Sequence, residues 1–250
     1  MSELHGKVII VTGAGSGIGR ETALLLAVQG AFIVAADFNE IAAKEVVSLI
    51  EAASGTADFY KADVSKGDEV KGLIDWTVER FGTLNGIFNN AGIGLVKPFL
   101  EMDPESYHRV INVNQHGVYY GMYYAAKKMV ELQVEGTIVN TASIYGTMAA
   151  VGSFNYNAAK AAVVMMTKSG ALELAEHGIR VAGVAPGFID TPILGGNEER
   201  KNRLAAQHMR GKLIQPKKVA SVVAFLFSEG ATAINGQTIP VDDGYLSFKK

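Results

Sequence analysis

Tyr156 and Lys160 stand four positions apart in a stretch, 155–175, that reads as a helix, so both side chains leave the same face. A free tyrosine titrates near pH ~10, too high for a good base at neutral pH, and a nearby ammonium lowers that value by favouring the phenolate. Each unit of such a shift corresponds to about 1.4 kcal/mol, so moving it by several units requires close charge, that of Lys160 together with an oxidised nicotinamide. A pair tuned in this way can give a proton to a ketone oxygen, or take one from an alcohol, while a cofactor moves the hydride. Taken alone, a Tyr and a Lys at this spacing are more often plain helix surface. Ser143 shifts the balance: it follows the strand-like run 136–141, thirteen positions before Tyr156, and its hydroxyl could hydrogen-bond the same substrate oxygen.

A second chemical feature lies near the start of the chain. The β-branched run 8–11 leads into Thr12-Gly13-Ala14-Gly15-Ser16-Gly17-Ile18-Gly19, and a helix-forming stretch, 20–28, follows at once. Glycines let a backbone turn tightly and approach a pyrophosphate, whose charge the exposed N–H groups and the helix dipole favour. The same turn could also serve strand–helix packing alone. Gly13, Gly17 and Gly19 are spaced G-x-x-x-G-x-G rather than G-x-G-x-x-G. Eighteen positions past Gly19, Asp37 follows the second strand, where a carboxylate can accept hydrogen bonds from the adenosine ribose hydroxyls. That carboxylate would repel a 2′-phosphate, and its neighbours Ser16 and Phe38 bring no cation to hold one, so NAD is favoured over NADP. By itself an Asp at a strand end is more often a turn or cap residue.

Asn89-Asn90-Ala91-Gly92 follows another strand, and Asn112-Val113-Asn114 lies in a long helical stretch. In this order the motifs are similar to those of the short-chain dehydrogenase/reductase superfamily, which the chain resembles from about Lys7 to Gly244. The resemblance implies that Tyr156 is the acid/base and Ser143 the partner of the substrate oxygen. It implies that Lys160 lowers the tyrosine pKa and binds the nicotinamide ribose, and that Asn114 organises a water relay. Gly13, Ser16, Gly17, Ile18 and Gly19 would form the cofactor-binding turn, Asp63 and Val64 would contact adenine, and Asn90 with Gly92 would line the cofactor cleft. Pro186, Gly187, Ile189 and Thr191 resemble the loop that holds the carboxamide, Ile189 through its backbone and Thr191 through its hydroxyl. Read without the family, Asp63 is a helix-approach carboxylate and Asn90 a strand-end hydrogen-bonder. The resemblance also implies a homo-oligomer, dimer or tetramer, with two long helices packed between subunits.

The elements that must position these residues alternate short β-branched runs with amphipathic stretches. Strands are expected at 8–11, 32–36, 87–88, 137–139, 181–184 and 237–241, and the count comes to about seven with six main helices. Such alternation predicts an α/β fold, a doubly wound Rossmann-type parallel sheet with helices on both faces. Val70, Leu73, Ile74, Val78 and Phe81 recur at helical spacing, with Ser65 as the expected N-cap and Gly82 as the glycine that ends the helix. A long helix is expected over 104–132. The segment 188–211 breaks the pattern and reads as a substrate lid within a single domain spanning 1–250.

Composition excludes other classes. Charged residues are 19% of the chain and apolar ones 48%, and the net charge of −2 gives no electrostatic reason for nucleic acid or an anionic membrane. The absence of cysteine removes disulfides, thiolate nucleophiles and cysteine–zinc sites. The N-terminus lacks the basic and apolar pattern of a signal peptide, and a cytoplasmic enzyme is expected. The five histidines are scattered, so no metal site is expected. Tyr119, Tyr120, Tyr123 and Tyr124 with Met122, Met165 and Met166 read as core, or else as a subunit interface. Asp242 and Asp243 read as structural.

The substrate pocket is expected near Gly94, Leu95 and Tyr145, along 151–155, and in the 188–211 segment. These parts read as mostly apolar, without an arginine pair for a carboxylate, which points to a neutral secondary alcohol of cyclic, steroid-like or sugar-like type. Two other functions fit the same residues. One is an NADPH-dependent 3-oxoacyl-(acyl-carrier-protein) reductase, against which Asp37 argues. The other is a non-catalytic NAD-sensing protein, which would be marked by the loss of Tyr, Ser or Lys.

Overall fold

The strands β1 (Val8–Thr12), β2 (Phe32–Asp37), β3 (Thr56–Lys61), β4 (Gly86–Asn89), β5 (Thr137–Thr141), β6 (Arg180–Pro186) and β7 (Thr238–Val241) form one parallel sheet. In the computed structural model, which describes residues 4–195 and 197–248, their order is β3-β2-β1-β4-β5-β6-β7. The doubly wound fold is as expected. β3 is the strand that no sequence run had located, because Thr56–Lys61 mixes polar and apolar residues at the sheet edge.

The helices are α1 (Gly17–Val28), α2 (Glu40–Ala52), α3 (Gly67–Phe81), α4 (Pro104–Ile111), α5 (Gly117–Glu131), α6 (Phe154–Leu174), α7 (Glu198–Ala205) and α8 (Pro216–Phe227). Successive strand residues face opposite layers. Ile9 and Val11 pack with Leu26, Val46, Val223 and Phe227 from α1, α2 and α8, while Ile10 packs with Leu73, Val118, Met129 and Val163 from α3, α5 and α6. Burial on both faces explains why β1 is apolar at every position but its last.

Helix ends follow local chemistry, with one shift from expectation. Gly82 ends α3 in the left-handed region at φ 78°, as its position implied. The N-cap of α3 is Lys66 rather than Ser65, because the Ser65 hydroxyl and N–H both turn back to the Asp63 carboxylate. The long helix expected over 104–132 starts at Pro104, capped by Asp103, which accepts from the Ser106 N–H at 2.8 Å. Asn112–His116 then form a π-helical turn before α5 resumes the α-helix.

The 188–211 segment contains α7, and of the Gly195-Gly196-Asn197 break Gly196 lies outside the described residues. Asp242 accepts from the N–H groups of Gly244 and Leu246, and Asp243 pairs with Arg210, tying the exit of β7 to the end of that segment.

Candidate active site

The direction of winding reverses between β1 and β4, and a cleft of about 960 Å³ opens at the carboxyl edge of the strands. Its lining includes Gly13, Ser16, Gly17, Ile18, Asp37, Asp63, Val64, Asn90, Gly92, Ser143, Tyr156, Lys160, Pro186, Gly187, Ile189 and Thr191, which sequence reasoning had singled out.

Two of the singled-out residues lie behind the surface. Gly19 serves the turn from inside: a Cβ there would stand 2.0 Å from the Gly13 carbonyl oxygen. Gly17 is at φ 54°, and a Cβ on it would come 2.9 Å from the Thr191 methyl. Bare backbone therefore faces the cleft, as a pyrophosphate cradle requires. Asn90 holds the turn in place by donating from Nδ2 to the carbonyls of Thr12 and Gly13, at 3.0 and 3.3 Å. Thr12, which the sequence reading passed over, accepts at Oγ1 from the N–H groups of Asn90 and Ala91 and donates to the Phe88 carbonyl. Its hydroxyl thereby locks the ends of β1 and β4 together.

Asn114 is the other residue behind the wall, fully buried. Its Nδ2 donates to the Ile93 carbonyl and its Oδ1 accepts from the Ile93 N–H, both at 2.8 Å. The π-helical turn sits at this residue, as such turns often do at functional sites. In this geometry Asn114 clamps the loop after β4.

Asp37 lies at the glycine-turn end. Oδ2 accepts from the Gly15 N–H and Oδ1 from the Asn39 N–H, each at 2.8 Å, and each oxygen keeps further acceptor capacity. Asp63 likewise accepts from Ser65, so its carboxylate does structural work whether or not adenine lies against it.

At the other end, Ser143 stands two residues past β5; its hydroxyl accepts from the Tyr145 N–H at 3.1 Å and acts on the Tyr156 phenol. Lys160 is 2% exposed; its Nζ donates to the Thr141 carbonyl at 2.7 Å and lies 5.7 Å from the Tyr156 ring centre. Lys160 by itself does not give the lowering expected from it together with the oxidised nicotinamide. Burial raises the Tyr156 phenol above its ordinary value, the Ser143 hydrogen bond opposes that rise, and Tyr145 adds to it. Burial also depresses Lys160, to about 8. Desolvation wins over helical adjacency because the ammonium is aimed at a backbone carbonyl and not at the phenol oxygen.

Two further residues hold the site without a signal in the sequence. Asn157, between the tyrosine and the lysine, donates from Nδ2 to the carbonyls of Tyr145 and Met148, at 2.6 and 2.7 Å, fixing the loop after Ser143. His208 is fully buried; the Phe188 N–H donates to its Nε2 at 3.1 Å, and its Nδ1 lies 2.7 Å from the Lys212 carbonyl. A neutral ring protonated at Nδ1 satisfies both, and so fixes the loop that carries Gly187 and Phe188. Among the described residues, no cluster of three or more His, Asp or Glu could hold a metal ion.

The substrate end departs from expectation. Leu95, Val96, Tyr145, Val151, Ile193 and Leu204 make it apolar, but Arg200 and Arg203 of α7 also line it. The expectation of a pocket without an arginine pair fails, because the segment's charged residues lie on a helix one side of which turns inward.

A dinucleotide cleft with a Ser–Tyr–Lys floor on a doubly wound sheet defines a class of nicotinamide-dependent oxidoreductases, and comparison with known proteins agrees. A family model described as enoyl-(acyl carrier protein) reductase matches residues 13–246. The chain belongs to the short-chain dehydrogenase/reductase superfamily. It is 42% identical to a cyclohexanol dehydrogenase from Acinetobacter sp. (strain SE19), over 98% of this chain and 97% of that protein. It is 38% identical to a 3-oxoacyl-(acyl-carrier-protein) reductase from Thermotoga maritima, over 96% and 98%. A crystal structure of a short-chain type dehydrogenase/reductase from Mycobacterium marinum superposes with a TM-score of 0.95 at 32% identity, covering 98% of each chain. An oxidoreductase acting on a secondary alcohol or ketone through a nicotinamide cofactor follows from this membership. No helix among the described residues is long and apolar enough to cross a membrane.

Proposed function

We propose that the protein is an NAD(H)-dependent dehydrogenase of cyclic secondary alcohols, with Tyr156 as the proton donor and acceptor. The observation that carries this reading is the meeting of Ser143, Tyr156 and Lys160 in one cleft whose far end is a glycine turn, with the Ser143 hydroxyl acting on the Tyr156 phenol. The bound nicotinamide would supply or accept the hydride. Ser143 and Tyr156 both address the substrate oxygen, Ser143 by orienting it and Tyr156 by exchanging its proton. Lys160, held by Thr141, is placed to hold the nicotinamide ribose, and the backbone of 186–189 with Thr191 to hold the carboxamide. Asn114, through Ile93, sets the wall beside them. The apolar walls and the resemblance to a cyclohexanol dehydrogenase support a ring-shaped substrate. A cytoplasmic setting fits a cysteine-free chain.

Cofactor choice rests on Asp37, whose carboxylate stands at the turn with exposed Phe38 beside it. NAD+ is expected to support turnover with kcat/KM at least about tenfold above NADP+, the scale of one unfavourable close charge contact. A preference for NADPH in initial-rate assays would instead favour the 3-oxoacyl-(acyl-carrier-protein) reductase reading.

We also propose a homo-oligomer built on α5 and α6. Tyr119 and Tyr123 stack at 5.9 Å, yet each is 48% exposed, and Met165 is 59% exposed, so the core assignment fails for these three while Met122 is buried as expected. Light scattering at micromolar protein is expected to give at least twice the 26.6 kDa chain mass, and a monomer mass would reject the assembly.

A further inference from the structure

Between the apolar walls of the substrate end, α7 places two cations whose charge nothing in the described chain neutralises. Lys201 turns away to Asp190 at 3.2 Å and Glu198 at 3.9 Å. Arg200 and Arg203, on either side of it in sequence, line the cleft and form no ion pair among the described residues. Arg200 is half-buried. Its charge is felt at the Tyr145 phenol, and the Tyr145 ring stands 6.4 Å from the Tyr156 ring, which sets Arg200 at the substrate end and not at the adenosine end. Of the acidic residues that line the cleft, Asp37 lies at the glycine turn and Asp63 at the approach to α3, leaving Glu105 as the third. A half-buried guanidinium without a partner is the state that an incoming anion relieves, and its planar fork matches a carboxylate.

We propose that Arg200, supported by Arg203, is an anion-recognising subsite of the substrate pocket, so that the preferred ring alcohols carry a carboxylate on the side away from the reacting hydroxyl. This rests on the alcohol dehydrogenase reading above and narrows its substrate class. The apolar walls take the ring, Ser143 and Tyr156 take the hydroxyl, and the α7 arginines take the anion. The same chemistry could be met by the cofactor's pyrophosphate, and the experiment separates the two.

Oxidation of 4-hydroxycyclohexanecarboxylate and of its methyl ester, followed by NADH absorbance, compares nearly the same shape with and without charge. The wild-type protein is expected to favour the acid by about tenfold or more in kcat/KM, the scale of one charge-assisted hydrogen bond. In Arg200→Gln the acid-to-ester ratio should fall towards one, with Arg200→Lys in between because it keeps the charge and loses the fork. Should Arg200→Gln fail to fold, the ratio in the wild-type protein should still shrink as salt is raised, and Arg203→Gln should lower it in part. A wild-type ratio near one, or a ratio that survives Arg200→Gln, overturns the proposal. A rise in KM for NAD+ with the ratio unchanged assigns the arginine to the cofactor and overturns it equally. If cyclohexanol is oxidised and neither of the two probes is, the subsite fails and the dehydrogenase reading stands. If none of the three is oxidised with either cofactor, that reading itself falls.

Discussion

Tyr156→Phe is expected to lower kcat/KM for alcohol oxidation by about a thousandfold, within the 10²–10⁴ range of a positioned acid or base, while NADH still binds. The change removes one oxygen and leaves the ring, which packs edge-on against Tyr145, so the cleft keeps its shape. Among the described residues the polar interaction lost is the one with Ser143. The pH profile gives an independent check. Burial raises the phenol's pKa, so in the cofactor-free protein it is protonated throughout the neutral range, ready to give a proton to a ketone. Alcohol oxidation needs the deprotonated form and should therefore rise with pH, whereas ketone reduction should be flat at neutral pH and fall as the phenol ionises. The Phe variant should lose both slopes. Titration of NADH fluorescence measures the binding, and a variant that keeps more than a tenth of the wild-type turnover would remove Tyr156 from the proton step.

How far the sequence showed this depends on whether a feature is local. The glycine turn is local: strand, turn and helix start are contiguous from Val8 to Val28, and the close approach of Gly19 to Gly13 is set within one turn of chain. The order of Ser143, Tyr156 and Lys160 is likewise readable, because Tyr156 and Lys160 share α6 and Ser143 lies two residues past the end of β5. What failed depends on contacts between distant parts. Thr12 bonds to Asn90 and Ala91 across two strands, and His208 reaches Phe188 across the 188–211 segment. Neither residue type announces such a role. The π-helical turn at Asn114 escapes a reading based on a 3.6 period, since five residues of different pitch leave the flanking apolar spacing almost intact. The arginines of α7 were misjudged because a charged run on a short helix reads as solvated surface, and only the fold shows which side faces inward.

The tyrosine pKa is the sharpest case, because Lys160 alone does not lower it. Spacing puts Lys160 beside Tyr156, and spacing alone favours the phenolate. The fold adds burial of both groups and supplies the ammonium with a carbonyl acceptor, so the phenol moves up and the amine moves down. The cofactor-free site is thus arranged as a neutral acid next to a costly buried cation, and the cost of that cation is measurable.

Lys160→Met is expected to lower kcat/KM by about a hundredfold or more, since it removes a cation and, on the proposed function, the donor to the nicotinamide ribose, and at the same time to raise the melting temperature of the cofactor-free protein at pH 7. Burial holds Lys160 at about 8 in the folded chain, against an ordinary value of 10.5. Below about pH 8 folded and unfolded chains both carry the proton, and the full penalty of burying the charge is present. Between about 8 and 10.5 the folded chain releases its proton first, so stability rises with pH; above 10.5 the penalty is gone. The gap corresponds to about 3 kcal/mol at neutral pH. Methionine keeps the apolar stem but leaves the Thr141 carbonyl without its donor, at a cost of about 1–2 kcal/mol. The net gain of about 1–2 kcal/mol should raise Tm by about 2–6 °C for a chain of this size. Near pH 10.5 the order should reverse, because the wild-type amine is then neutral in the folded chain, most of the burial penalty is gone, and it still donates to Thr141. Thermal melts of the two cofactor-free proteins at pH 7 and pH 10.5 read this directly. A variant less stable than wild type at both pH values would show that Lys160 stabilises the fold, and that its place in the cleft is not a stability sacrificed for function.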